Sequence, residues 1–135
     1  MEIRWIRSMI DYYKILETEE GQYYNYIVTR VIEQKRKYNA FLDRDIKVKL
    51  VLGEIDSNIK SLMDDVDTIL VEIGEKTNEV FNMCVNDMSQ ENLTKMTEEL
   101  EKLIPSLNNL IEFTEYIMQK LGDKKEDNDT QSKRL

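Results

Sequence analysis

The sequence predicts an all-α fold: an antiparallel bundle of about four helices, two of them long and heptad-patterned and paired as a helical hairpin. Three observations carry this expectation. Apolar residues recur in alternating steps of three and four over two long stretches, which holds them on one side of a helix. The chain is 41% apolar and 34% charged, with one proline and four glycines, a mix of helix-rich rather than disordered chains. A short polar turn, Val85-Asn86-Asp87-Met88-Ser89, separates the two stretches, and a short connection favours antiparallel neighbours.

The first expected helix covers residues 2–18. Ile3, Ile6, Ile10 and Tyr13 share one face, flanked by Trp5, Met9 and Leu16, while Arg4, Arg7, Asp11, Lys14 and Glu17 fall mostly on the other. Thr18-Glu19-Glu20-Gly21 ends it, because glycine tolerates the left-handed backbone of a helix C-terminus. The second covers 22–42, with Tyr24, Ile27, Val28, Val31, Ile32, Tyr38, Phe41 and Leu42 as its apolar set and a weakening at Gln34 to Lys37. Tyr23–Ile32 is rich in aromatic and β-branched residues, and Ile46–Leu52 begins with period-two alternation. A strand hairpin from these two runs is the open alternative.

The third helix covers 46–84. Its seam is Leu52, Ile55, Ile59, Leu62, Val66, Ile69, Ile73, then Val80 and Met83 after a polar miss at Lys76. Gly53 and Gly74 fall on its outer face, and Gly53 is a candidate bend or start. Ser89 is placed to cap the fourth helix, 90–121, with Glu91 near its positive end. That seam is Leu93, Met96, Leu100, Leu103, Leu107, Leu110, Thr114, Ile117 and Leu121. Its phase passes through Pro105 unbroken, so the proline predicts a kink rather than a stop, and Gly122 ends the helix. The bundle domain is therefore 1–122. Residues 123–135 have no apolar period and are expected to be a disordered charged tail.

The positions just after the seam are also apolar: Met63 and Leu70, then Ile104, Ile111 and Met118. A two-stranded coil carries charge there. The widened stripe suits a bundle of three or more helices, and the greater length of the third and fourth helices leaves part of it for a partner to cover.

Function classes are bounded mainly by absence. The chain has no histidine and one cysteine, Cys84, which excludes His-based triads, a His-bearing metal site and an internal disulfide. No Gly-rich phosphate loop is present, and the carboxylate clusters Asp64-Asp65-Val66-Asp67 and Glu98-Glu99-Leu100-Glu101 lack a calcium loop's glycine turn. Neither an enzyme nor a cofactor is expected. No apolar run is long enough to span a bilayer and the first residues do not read as a signal peptide, so a cytoplasmic protein without membrane contact is expected.

Net charge is −8, unevenly spread. Residues 30–49 hold seven cations against three anions, and Arg36, Lys37, Arg44 and Lys47 are the candidates for contact with phosphate or an acidic partner. An acidic chain repels nucleic acid overall. The six tyrosines before residue 40 form either an anchoring surface or the filling of one end of the bundle.

The tyrosine-rich second helix, the long helix after it and the helix start Asn92-Leu93-Thr94 resemble the helical domain of GINS replication-complex subunits. No part of these 135 residues matches that family's small β-domain. The resemblance implies a nucleic-acid-associated complex subunit using residues 30–49. The residues themselves favour a non-enzymatic structural or adaptor protein that works through helix–helix contacts in a homo- or hetero-oligomer.

Overall fold

The computed structural model describes residues 12–46, 49 and 52–134. Helix α1 occupies residues 12–17 of this set, followed by α2 (Glu19–Phe41), a π-helical turn (Leu42–Ile46), α3 (Ser57–Asn86), α4 (Gln90–Lys102) and α5 (Ile104–Arg134). No strand occurs among the described residues, and Tyr23–Ile32 is helical. The β-branched run there is overruled by packing, because α2 lies along α4 and α5 and offers them a helical stripe. Residues 2–11 of the expected first helix, and residues 47, 48, 50 and 51 of the alternating run, lie outside the described residues.

Chain direction follows from cross-helix contacts. Gln34 and Lys37 of α2 reach Thr114 and Glu115, and the Phe41 ring lies beside Gly122, so α2 runs parallel to α5. The tight turn after α3 sends α4 and α5 back along it, with Cys84 against Met96 and Lys76 against Glu99. Helices α2, α3 and α4–α5 therefore go up, down and up.

Caps explain most boundaries. Thr18 accepts from the Gly21 amide at 2.9 Å and starts α2. Gly21 thus sits in the first turn of α2 rather than at the end of the helix before it, as the sequence had suggested. Its lack of a side chain has another cause: a Cβ there would run into the Ile15 carbonyl. The close approach lets α1 fold back sharply at Thr18.

The third helix begins at Ser57, capped by Asp56, which accepts from the Asn58 amide at 2.8 Å. Gly53 adopts φ 69°, a left-handed conformation that interrupts any helix through 46–56. Ser89 caps α4 as expected, accepting from the Asn92 amide at 3.2 Å. The Asn92 side chain donates in turn to the Asp87 carbonyl at 2.8 Å, tying the turn together.

Pro105 acts one turn ahead of itself. It has no N–H to offer the Glu101 carbonyl, and the helix is interrupted at a single residue, Leu103. The Leu107 amide bonds the Leu103 carbonyl at 2.9 Å, so the heptad phase survives into α5. Helix α5 continues past Gly122 to Arg134, where a stop had been expected. Extending an existing helix needs no new nucleus, and lysine, glutamate and glutamine are good helix formers.

The core is one cluster. The α4–α5 seam supplies Leu93, Met96, Leu100, Leu107, Leu110, Thr114 and Ile117, all buried. Helix α3 supplies Met63, Val66, Ile73, Thr77, Val80, Phe81 and Cys84, and α2 supplies Ile27 and Tyr38.

Because only a glycine lets α2 meet the Ile15 carbonyl, Gly21→Ala is expected to lower stability by about 1–3 kcal/mol, the range of overpacking in a closed site. A urea midpoint with an unchanged m-value checks this. A midpoint equal to the parent's would show that α1 and α2 do not meet so closely.

Candidate helix-docking groove

Helix α3 faces inward on a different pair of positions from those its heptads suggested. Val66, Ile73 and Val80 are buried as expected, but their inward companions are Met63, Thr77 and Cys84, one residue beyond the expected seam. Leu62 and Ile69 lie half-buried at one flank, Ile59 is half-buried in the first turn in line with Val66, and Ile55, half-buried, and Leu52, 63% exposed, precede the helix. The polar miss at Lys76 is a flank position, where its ammonium bridges Glu79 and Glu99 at 3.8 and 3.2 Å. On the other side Leu93, Leu100, Leu107 and Leu110 are buried as expected, while Leu103, at the interruption, is half-buried.

This rotation turns the other flank of α3, Met63 through Leu70 and Gly74 to Phe81, toward α2. The two helices meet at both ends of this stretch. At one end Phe81 stacks on Tyr24, ring centres 4.7 Å apart, with Tyr12 of α1 edge-on at 5.1 Å. At the other, the buried Tyr38 of α2 lies near Asp67 and Asp64 of α3. Between these contacts runs a groove walled by Val28, Val31, Ile32 and Lys35 of α2 and by Leu70, Ile73, Gly74 and Thr77 of α3, enclosing about 180 Å³.

The groove is apolar and open. Ile32 is 44% exposed on its α2 rim and Val71, beside Leu70, is 58% exposed on α3. Among the described residues, Gly74 has no atom within 4 Å of where a Cβ would stand. Thr77 satisfies its hydroxyl internally, donating to the Ile73 carbonyl at 2.8 Å, so the floor presents no unmet polar group. Such a surface suits the apolar face of a helix better than a polar small molecule.

Helix α2 is held off α3 by its attachment to α5. The Gln34 amide donates to Thr114 Oγ1 at 2.8 Å and to Glu115 at 3.0 Å, and Thr114 donates to the Leu110 carbonyl at 2.7 Å. Lys37 adds an ion pair to Glu115 at 2.7 Å. The Lys37 and Gln34 hydrogen bonds hold the Glu115 carboxyl below its ordinary pKa. Sequence reading took Gln34 as a weak point of the stripe. It is instead the polar partner of the one threonine in the facing seam.

The basic candidates do not gather into one site. Lys37 is committed to Glu115, Arg36 and Arg44 are exposed, and Lys47 lies outside the described residues. Arg30 stacks over Tyr26, 5.7 Å from its ring centre. Of the acidic clusters, Glu99 is tied to Lys102 and Lys76, which lower its pKa, and Glu98 and Glu101 line a shallow crevice with Glu19, Glu20 and Tyr23. Among the described residues no three carboxylate or thiol groups gather as a metal ion requires, and no helix is long and apolar enough to cross a membrane. Cys84 is fully buried against Met96, and burial, Asp87 and Glu20 raise its thiol pKa. It fills the core and is not placed for nucleophilic attack.

Sequence reasoning missed the groove because it belongs to two helices at once. The available signal was Gly74, a gap in an otherwise apolar flank. No family model, curated protein or solved structure matches this chain.

Tyr38 seals one end of the groove and gives it an alkaline limit. Burial first, then the negative charges of Asp67 and Asp64, push its hydroxyl up to about 12. An unfolded tyrosine ionises near pH ~10. The folded state therefore keeps a proton that the unfolded state loses. The contribution is complete below the unfolded value and disappears as pH rises through the folded one. Stability is expected to fall between about pH 10 and 12 in the parent and to fall less steeply in Tyr38→Phe, read from urea midpoints across that window. Parallel curves for the two proteins would place Tyr38 in water.

Proposed function

We propose that this protein is a non-enzymatic structural or adaptor subunit that works through helix–helix contacts, as part of a homo- or hetero-oligomer. The observation that carries the reading is the open apolar groove between α2 and α3, with Ile32 exposed on its α2 wall and Val71 exposed next to Leu70 in the chain. An apolar channel walled by two antiparallel helices is shaped for a third. The expected argument from helix length is weaker than the sequence suggested. Helix α3 starts at Ser57, and α2 with its π turn reaches as far as Gly122, so α2 runs alongside the seam half of α5 and only the stretch of α5 after Gly122 extends beyond it.

A nucleic-acid-associated role, as in a replication-complex subunit, draws less support. It needs residues 30–49 to act as one basic surface, yet Lys37 faces Glu115 and Lys35 lines the apolar groove. The acidic α3 and α4 faces alongside would oppose a phosphate backbone.

Light scattering over a wide concentration range is expected to show an assembly larger than 16.1 kDa, either with itself or with a partner from the native source. Ile32→Glu and Val71→Glu are expected to reduce its mass or weaken it at least tenfold. Both residues are exposed, so each variant's own stability should stay within about 0.5 kcal/mol of the parent. A chain that remains monomeric at every concentration and purifies alone from its source would overturn the proposal.

A further inference from the structure

We infer that α2 is a strap that opens as a unit, from Glu19 to Phe41, about the π turn, and so uncovers a helix-length apolar face of α5 while the rest of the protein stays folded. The distribution of burial carries the argument. Among its 23 residues α2 buries two apolar side chains, Ile27 and Tyr38. Helix α3 buries seven residues, and the α4–α5 seam buries another seven. The paired α3 and α4–α5 therefore hold most of the core without α2.

Helix α2 touches its wall along one line and stands clear on both sides. Toward α3 lies the groove of about 180 Å³. Toward α4 lies the crevice of about 420 Å³, with Glu19, Glu20 and Tyr23 on the α2 side and Glu98 and Glu101 on the α4 side. Four carboxylates line its two walls, so charge opposes closing it. Between the two gaps the hold is largely polar. Gln34 donates to Thr114 and Glu115, and Lys37 pairs with Glu115. The side chains of that ion pair are 60% and 45% exposed, so water competes for it. Thr114 keeps its bond to the Leu110 carbonyl when Gln34 leaves, so release strands no hydroxyl in α5.

The ends define how the strap moves. Gly21 packs on the Ile15 carbonyl, so α1 travels with α2. At the other end Ile46 is buried at 2%, and the π turn between it and α2 breaks the α-helical ladder, which makes Leu42–Ile46 the hinge. Opening bares Ile104, Ile111 and Met118. They follow one another by steps of seven on the side of α5 where Glu115 meets Lys37 and Gly122 meets Phe41. That face is roughly 21 Å long. The inference deepens the proposed function and rests on its reading of helix–helix contact: assembly gains a second apolar face whenever α2 is off its wall.

Native-state amide hydrogen exchange of the full chain, followed by helix across low urea, tests this. Amides of α2 are expected to exchange at least tenfold faster than seam amides of α3 and α5, with a smaller urea dependence, because less surface is exposed in the opening. Gln34→Ala with Lys37→Ala should speed α2 exchange several-fold and leave the seam unchanged. Thr29→Ala, on the exposed side of α2, should slow it about twofold by better helix propensity, and decides the matter if the first variant folds poorly. Protection of α2 equal to that of the seam, or an equal urea slope, overturns the inference. So does a variant that shifts α2 and seam by the same factor, since α2 would then open only by global unfolding. A chain monomeric at every concentration whose α2 still exchanges separately upholds the strap while overturning the oligomer reading. An oligomer in which α2 and seam exchange together does the reverse.

Discussion

Every other helix of this protein depends on one wall. The buried seam of α4 and α5, from Leu93 through Leu100, Leu107 and Leu110 to Ile117, is the surface against which both α2 and α3 pack. Ile104, Ile111 and Met118 widen it, so a single helix line has an apolar flank for each of two neighbours. Full burial of a leucine or isoleucine side chain is worth about 1.5–3 kcal/mol, and seam residues at or near zero exposure dominate the core. The interruption at Leu103 matters here because it leaves the seam in phase. A true stop at Pro105 would have turned α5 to a different face and left α2 with no wall over its second half.

What the wall does not supply is a unique register, since leucines slide past one another at modest cost. The Gln34–Thr114 contact supplies it. Each residue is the polar exception in its own apolar stripe, and the fold sets the two exceptions together at 2.8 Å. In any slipped register the Gln34 amide would lie against leucine and lose its partners, a penalty of about 1–3 kcal/mol for a buried group left unpaired. A lone polar residue in a heptad seam fixes alignment in coiled coils by the same physics. Glu115 and Lys37 extend the contact toward solvent.

The fold class was legible because heptad spacing over long stretches has no strand interpretation, and the start of α4 was legible because Ser89 is followed by an apolar period. The inward face of α3 was not. Leu62 and Met63, or Ile69 and Leu70, are adjacent apolar residues on either side of Val66 and Ile73, and period alone cannot choose between them. The choice falls to the neighbours: α2 lies on the Met63 side and shares the groove with Leu70, leaving Leu62 and Ile69 half-buried on the flank away from it. Gly21 was misread for a related reason. A glycine near a helix break looks like a cap in sequence, whereas here it answers a steric demand from Ile15, a residue of another helix. The groove was the least legible feature, since no single helix contains it.

The open groove follows from these constraints rather than from loose packing. Gln34 and Ile27 hold α2 down on its wall, while the Tyr24–Phe81 stack and Tyr38 fix its spacing from α3 at both ends. The two helices cannot close on each other without giving up one of those contacts. A gap that cannot collapse is preorganised, so a helix entering it loses only its own freedom and does not have to open the host. It also meets defined stops, since aromatic side chains close one end and Tyr38 the other. A gap between two antiparallel helix walls has the shape of a missing helix. That is why the groove is better understood as the fourth position of a bundle than as a pocket, and why whatever occupies it sets the surface that the whole protein shows to a partner.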